Sequence, residues 1–321
     1  MFQRILVPLD GSWRAERALP VAARIARATG GSVHLIQVVN QPIDYSGGLA
    51  PVPLISQEVI ETEMAEASDY LKAFAASPML AGIVTTTEVS FGLPAPDILA
   101  AAETHGSDLI VLCSHGRTGF TRWALGSVAH TLVHQSTAPL LVLRQDTVLS
   151  SLSNVEHVRP PRTLVPLDGS KLAEAALNPA ASLTAALAAP ARGALHLAQV
   201  VKGVPAAVEE GVVSELNDEA FQQASTYLAA VAERLQTTMK DLRLTLTYAV
   251  GYDADVASTL VSMAEHGDEG KEAEGVVGCD LIAISTHGRS GLQRWIMGSV
   301  TERILTATKL PILIVRPEKK R

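Results

Sequence analysis

Cysteine is nearly missing from this chain: 321 residues hold two, Cys113 and Cys279. Two thiols cannot build the disulfide framework of a secreted mini-domain, and they suit a reducing compartment. Aromatic residues are scarce at 4%, yet 47% of the chain is hydrophobic, so aliphatic side chains must fill its cores. No apolar run reaches the ~18–20 residues needed to cross a bilayer, so no membrane contact is expected. Basic charge is not in excess either. Lys and Arg number 26 against 33 Asp and Glu, giving a net charge of −7, which argues against nucleic acid as a partner. The opening stretch Met1-Phe2-Gln3-Arg4-Ile5-Leu6-Val7 runs into a strand-like segment with no cleavage-site pattern. No secretory leader is therefore expected, and a cytoplasmic location is. A mean hydropathy of +0.22 excludes a disordered chain. At ~100–200 residues per domain, the length predicts two domains.

What the chain has is repetition. Leu6-Val7-Pro8-Leu9-Asp10-Gly11-Ser12 recurs unchanged 158 residues later, from Leu164 to Ser170. HGRTGFTRWALGSV, from His115 to Val128, returns as HGRSGLQRWIMGSV from His287 to Val300, with nine of fourteen positions identical at an offset of 172. Between them, His34-Leu35-Ile36-Gln37-Val38-Val39 matches His196-Leu197-Ala198-Gln199-Val200-Val201 at an offset of 162. A period this long is not that of a solenoid, so two whole domains stand in tandem. The expected division is residues 1–146, a linker at 147–161 rich in serine and closed by Pro160-Pro161, and residues 162–321. The growing offset predicts loop insertions near Pro190 and Gly267, where added length costs little.

Within each copy, strand and helix patterns alternate. Strands are expected at 5–9, 33–39, 83–89, 108–113 and 140–143, and helices at 14–29, 59–74, 97–104 and 127–135. The second copy repeats this order from 163–167 to 312–315. Five strands with intervening helices imply a parallel sheet covered on both faces. In such sheets ligands bind beyond the C-terminal strand ends, where the strand order reverses. Both long duplicated motifs follow strands, the first and the fourth. If those strands are neighbours, the motifs line one crevice.

The longer motif combines glycines, which let backbone N–H groups approach an anion closely, with a helix start at Gly126-Ser127 or Gly298-Ser299. Arg117, Arg122, Arg289 and Arg294 add positive charge nearby. The same serines can also be plain helix caps, and Ser299-x-x-Glu302 has the form of a capping box. Asp10 and Asp168, each before Gly-Ser, are either turn formers or site residues. No G-x-x-x-x-G-K-[ST] occurs, which excludes a P-loop. His115 and His287 have no second histidine or carboxylate recurring at ligand spacing, so neither a metal nor a catalytic residue is assigned. Trp123 and Trp295 are expected as buried loop anchors, and Cys113 as a small buried hydrophobe.

Gly116 with Gly126-Ser127, and Gly288 with Gly298-Ser299, follow strands ending in Ser-His or Thr-His. This spacing resembles that of the universal stress protein family, over nearly the whole chain as two adjacent family domains. The resemblance implies two tandem Rossmann-like α/β domains, each a five-stranded parallel sheet with helices on both faces, binding ATP with or without Mg. It implies Pro8 and Asp10 near the adenosine, Val38 beside the base, and Gly116, Gly126, Ser127 and Val128 around the phosphates. In the second copy these become Pro166, Asp168, Val200, Gly288, Gly298, Ser299 and Val300. One departure stands out: the family's glycine three residues before Gly116 or Gly288 is Cys113 in one copy and Ser285 in the other. The family further implies a stress-response signalling protein with an unidentified protein partner. The two domains would pair along their last strands as an internal pseudo-dimer, with homodimerisation of whole chains left open. A slow ATPase and a nucleotide-free interaction module are the alternatives.

Overall fold

The computed structural model describes residues 1–40, 57–114, 125–144, 159–202, 210–267, 278–287 and 297–317, with side chains inside the long helix of the second domain from residue 217 onward. The chain divides into two compact units, Met1–Gln145 and Asp146–Arg321. The first runs β1 (Arg4–Leu9), α1 (Trp13–Glu16), α2 (Ala18–Thr29), β2 (Ser32–Val39), α3 (Gln57–Ala75), β3 (Thr85–Phe91), α4 (Pro94–Thr104), β4 (Leu109–Cys113), α5 (Ser127–Gln135) and β5 (Leu140–Leu143). The second runs β6 (Arg162–Pro166), α6 (Lys171–Glu174), α7 (Leu177–Ala188), β7 (Gly193–Val201), α8 (Glu210–Thr238), β8 (Leu244–Tyr252), α9 (Val256–His266), β9 (Leu281–Ser285), α10 (Ser299–Ala307) and β10 (Ile312–Val315).

Each domain is a five-stranded parallel sheet. The first has the order β3-β2-β1-β4-β5, the second the equivalent β8-β7-β6-β9-β10. The chain winds outward from β1 through β2 to β3, then crosses back to β4 and on to β5. Because parallel crossovers are right-handed, reversing direction puts the helices of the two halves on opposite faces. The central strands carry the core: Ile5, Leu6 and Val7, with Leu109, Ile110 and Val111, are fully buried. Burial on both faces is why these strands are continuous aliphatic runs, whereas the outermost β3 is Thr-rich and only half-buried. The order reverses between β1 and β4, which pair directly, Ile5 opposite Leu109 and Leu6 opposite Ile110. The pair β6–β9 repeats this, Thr163 opposite Leu281.

A carboxylate ties the lower ends of the two central strands in each copy. Asp108, just before β4, accepts from the N–H groups of Gln3 and Arg4 at 2.8 and 2.9 Å. Asp280 accepts from the N–H of Arg162 at 2.8 Å and from both terminal nitrogens of Arg159 at 3.1 Å.

The helix expected over 14–29 is two helices. Pro20 sits in the first turn of α2 and has no N–H to bond back to Glu16, so the ladder breaks at Arg17, whose N–H turns to Arg14 O instead. Pro179 takes the same position in α7. Gly30, left-handed at φ 65°, closes α2 as the Gly30-Gly31 pair predicts. Strand β3 begins two residues later than its Val-Thr pattern suggests. Helix α4 begins earlier, with Pro94 in its first turn, where a missing N–H costs nothing. No helix among the described residues is long and apolar enough to cross a membrane.

Candidate functional site

Each domain opens a crevice above its reversal point, about 750 Å³ in the first and about 770 Å³ in the second. Both lie within the ~300–1,000 Å³ of pockets that enclose a small organic ligand. Pro8, Asp10, Val38, Gly126, Ser127 and Val128 all line the first. Pro166, Asp168, Val200, Gly298, Ser299 and Val300 all line the second. Gly116 and Gly288 lie outside the described residues, as do His115, the four motif arginines and both motif tryptophans. Residues 44–53 and 268–277 lie outside them too.

The aspartates make the turn that follows β1 and β6. Asp10 Oδ1 accepts from the N–H of Ser12 at 3.0 Å and from its hydroxyl at 2.6 Å, while Ser12 Oγ caps the N–H of Ala15. Asp168 holds Ser170 in the same way, and Ser170 Oγ caps Ala173. Gly11 and Gly169 stand between them at φ 76° and 83°, left-handed positions that glycine fills without strain. Turn-forming and crevice-lining are therefore compatible: one carboxylate oxygen organises the turn, and the residue still borders the opening.

The serines are not the caps. Gly126 and Gly298 occupy the N-cap positions of α5 and α10, without any side-chain hydrogen bond, and Ser127 and Ser299 are the first helical residues. The capping box suggested by Ser299-x-x-Glu302 is thus out of register by one. Each capping glycine donates its N–H to the preceding strand end, Gly126 to Ser114 O at 2.8 Å and Gly298 to Thr286 O at 2.9 Å. The next N–H groups, of Ser127, Val128 and Ala129 or Ser299, Val300 and Thr301, come too early in the helix to find a carbonyl within it. They border the crevice at the positive end of the helix dipole. A Cβ on Gly298 would meet nothing closer than Thr286 O at 3.6 Å.

Four further lining residues escaped the sequence analysis. Gln37 and Gln199 border the two crevices, and each has a side-chain oxygen buried without a hydrogen-bond partner among the described residues. Leaving such an acceptor unpaired costs about 1–3 kcal/mol, so both crevices favour a ligand that donates there. Tyr70 and Tyr227 enclose the crevices from α3 and α8, hydroxyls donating to Glu16 at 3.1 Å and Glu174 at 3.0 Å. Burial, with Glu174 beside it, pushes the Tyr227 phenol well above its ordinary range. The signal was present: Ala67-Ser68-Asp69-Tyr70-Leu71 returns as Ala224-Ser225-Thr226-Tyr227-Leu228, at yet another offset, 157.

At the strand ends, Cys113 and Ser285 both line their crevices. Burial pushes the Cys113 thiol up to about 12, so it is a neutral, unreactive group there. The electrostatics differ more. Among the described lining residues, the first crevice has Asp10, Glu63 and Glu66 with no lysine or arginine, whereas the second has Asp168 with Lys202 and His287. The His287 ring is held below its usual range by burial and by Arg316.

A reversal-point crevice with uncapped helix starts defines a class of α/β ligand-binding domains, and similarity to known proteins narrows it. The model of the universal stress protein family matches residues 1–144 and again 161–316. The chain belongs to the universal stress protein family, as a member with two tandem domains. A universal stress protein of Mycolicibacterium smegmatis is 24% identical over 319 residues, covering 98% of this chain and 97% of that one. One from Methanocaldococcus jannaschii is 33% identical over 146 residues, 45% of this chain and 84% of its own length. Among solved structures, a universal stress protein from Archaeoglobus fulgidus shares the fold at a TM-score of 0.65 and 20% identity. That match covers 98% of this chain and 99% of the other.

Proposed function

We propose that this chain is an ATP-binding signalling protein, with the nucleotide held chiefly in the second domain. The observation that carries this is the run of uncapped N–H groups at Ser299, Val300 and Thr301, bordering the same crevice as Asp168, Gln199 and Lys202. In this reading the helix start and Lys202 hold the phosphates, and the family resemblance adds Gly288 to them. Asp168, Val200 and the unpaired Gln199 oxygen meet the adenosine, whose amino and hydroxyl groups are donors. Magnesium accompanies the phosphates, keeping several of its waters rather than sitting in a protein cage of its own. The nucleotide is a signal rather than a substrate: no lysine stands within the duplicated motifs to grip a γ-phosphate, and no Ser-His-Asp set, carboxylate pair or metal cluster recurs in both copies.

The first domain has a second reading, that of an interaction module with weak or no nucleotide binding. Cys113 at its strand end and the carboxylates of Glu63 and Glu66 favour it, since all three oppose a triphosphate. Pairing of the two domains along β5 and β10 belongs to the same proposal, as do an unidentified protein partner and a cytoplasmic location, which suits the free thiols Cys113 and Cys279.

The test is mass spectrometry of small molecules released from purified, undialysed protein. One adenine nucleotide per chain is expected. Protein that carries none, and takes up none when titrated with ATP and magnesium, refutes the proposal.

A further inference from the structure

At the opposite end of the first sheet from the crevice, two histidines and a glutamate converge. His34 comes from the lower part of β2, Glu88 from the adjacent β3, and His105 from the residue that closes α4. Glu88 Oε2 lies 3.1 Å from His34 Nε2 and 2.8 Å from His105 Nε2. The two imidazole rings lie 3.7 Å apart, tilted by 31°. The potential donor atoms of all three residues fall within 4.8 Å of one another.

We propose that His34, Glu88 and His105 form a binding site for a divalent first-row transition ion such as zinc, with a fourth position open to water. Two imidazoles and one carboxylate are a ligand set such ions favour over calcium or magnesium. A tetrahedral ion about 2.0–2.1 Å from each ligand holds its donors ~3.3 Å apart, so the two spacings to Glu88 need to widen by only a few tenths of an ångström.

The tautomers support the assignment. A carboxylate only accepts, so with no ion both Nε2 atoms carry hydrogen, and Thr86, 2.7 Å from His34 Nδ1, donates its hydroxyl there. The same hydroxyl accepts equally well. When an ion takes the lone pair of Nε2, the proton moves to Nδ1 and Thr86 becomes its acceptor, the outer hydrogen bond that orients a metal-bound histidine. His34 is 7% exposed, so its ring is held in place by the packing of the sheet. His105 is exposed, which gives an ion an entry path.

The second domain supplies the contrast. His196 occupies the place of His34 on β7, but Arg162 reaches its Nδ1 at 2.8 Å and Thr247 shares that nitrogen. The position matching Glu88 is Ala249, opposite Ala198 as Glu88 is opposite Ile36. The duplicate keeps both histidines, as His196 and His266, but lacks the carboxylate, and Arg162, the counterpart of Arg4, reaches His196 instead. A motif search that demanded recurrence in both copies therefore passed it by.

Chelator-stripped full-length protein, titrated with zinc alone against a colorimetric zinc indicator, tests this. One zinc per chain is expected at micromolar affinity or tighter. Binding should weaken at least ~100-fold in Glu88→Gln and in His105→Ala, both outside the core. It should be unchanged when His130 and His134, a stacked pair on α5, are both replaced by alanine. Cobalt in place of zinc should give visible absorption bands that vanish in the first two variants. Wild-type protein that holds no zinc overturns the proposal whatever the variants do. A zinc that survives Glu88→Gln and His105→Ala, or leaves with the His130 and His134 pair, overturns it as well.

Discussion

The two domains began as copies, and the places where they still agree differ in kind from those where they do not. They agree on backbone devices: the Asp-Gly-Ser turns, the glycine caps of α5 and α10, the direct pairing of first and fourth strands. They disagree on side-chain charge at both ends of the sheet. The upper crevice of the first domain is acidic and that of the second carries Lys202. At the lower end, Glu88 sits between two histidines in one domain, while Ala249 takes its place in the other and Arg162 turns to His196. A duplicated scaffold keeps its geometry because every device in it supports the same fold, whereas charges bordering solvent can diverge at little cost in stability.

The sharpest way to break the contrast is at the caps. Gly298→Val is expected to fold, because the backbone there is extended (φ −62°, ψ 140°) and a Cβ finds ordinary contacts. Its side chain then crowds the phosphate position, at about 1–3 kcal/mol or 10- to 100-fold in ATP affinity by calorimetry. Gly126→Val should change total binding by less than twofold. Equal losses from the two variants would erase the distinction between the domains.

Alkaline pH offers the next test. The folded Cys113 thiol titrates at about 12 against an ordinary 9.0, so the native state holds its proton more tightly than the unfolded chain. Its contribution to stability is complete below pH 9 and is lost as pH rises towards 12. The first domain should therefore lose a few degrees of melting temperature over that range, and Cys113→Ser should lose less. Ser285 leaves the matching position of the second domain without a thiol. A melting curve equally sensitive to pH in the Cys113→Ser protein would refute it.

The smallest effect concerns charge at the crevice mouth. Lys202→Ala should weaken ATP about two- to fivefold and adenosine hardly at all, with the difference shrinking in high salt. Glu66→Gln should strengthen whatever nucleotide binding the first domain has, by a similar factor. Adenosine and ATP weakened alike by Lys202→Ala would show that the lysine does not face the phosphates.

Most of the architecture was legible because it is written in short-range signals. Aliphatic runs such as Leu109 to Leu112 could only be strands buried on two faces, and Gly30 could only end a helix. The helix break at Arg17 was missed although Pro20 announced it, because the apolar face runs from Ala15 on to Ala18, Leu19, Ala22 and Ile25 across a break that lies in the backbone alone. Tyr70 and Tyr227 were missed because the chain between β2 and α3 differs in length from that between β7 and α8, shifting the repeat away from the offsets of its neighbours. The unpaired oxygens of Gln37 and Gln199 are a property of three-dimensional burial that no spacing reports. The cluster of His34, Glu88 and His105 joins residues far apart in sequence through strand register and the end of a helix. Register between non-adjacent segments is what a pattern of residues leaves open.

Glycine at the entry of α5 and α10 has a cost that engineering would notice. Serine or asparagine there would fasten the first turn and raise the melting point slightly, by a few tenths of a kcal/mol. The same hydroxyl or amide would consume the amide hydrogens that an incoming anion needs. Screens for thermostable variants should therefore recover polar residues at 126 and 298 as improvements, and under the proposed function those changed at 298 should bind ATP more weakly.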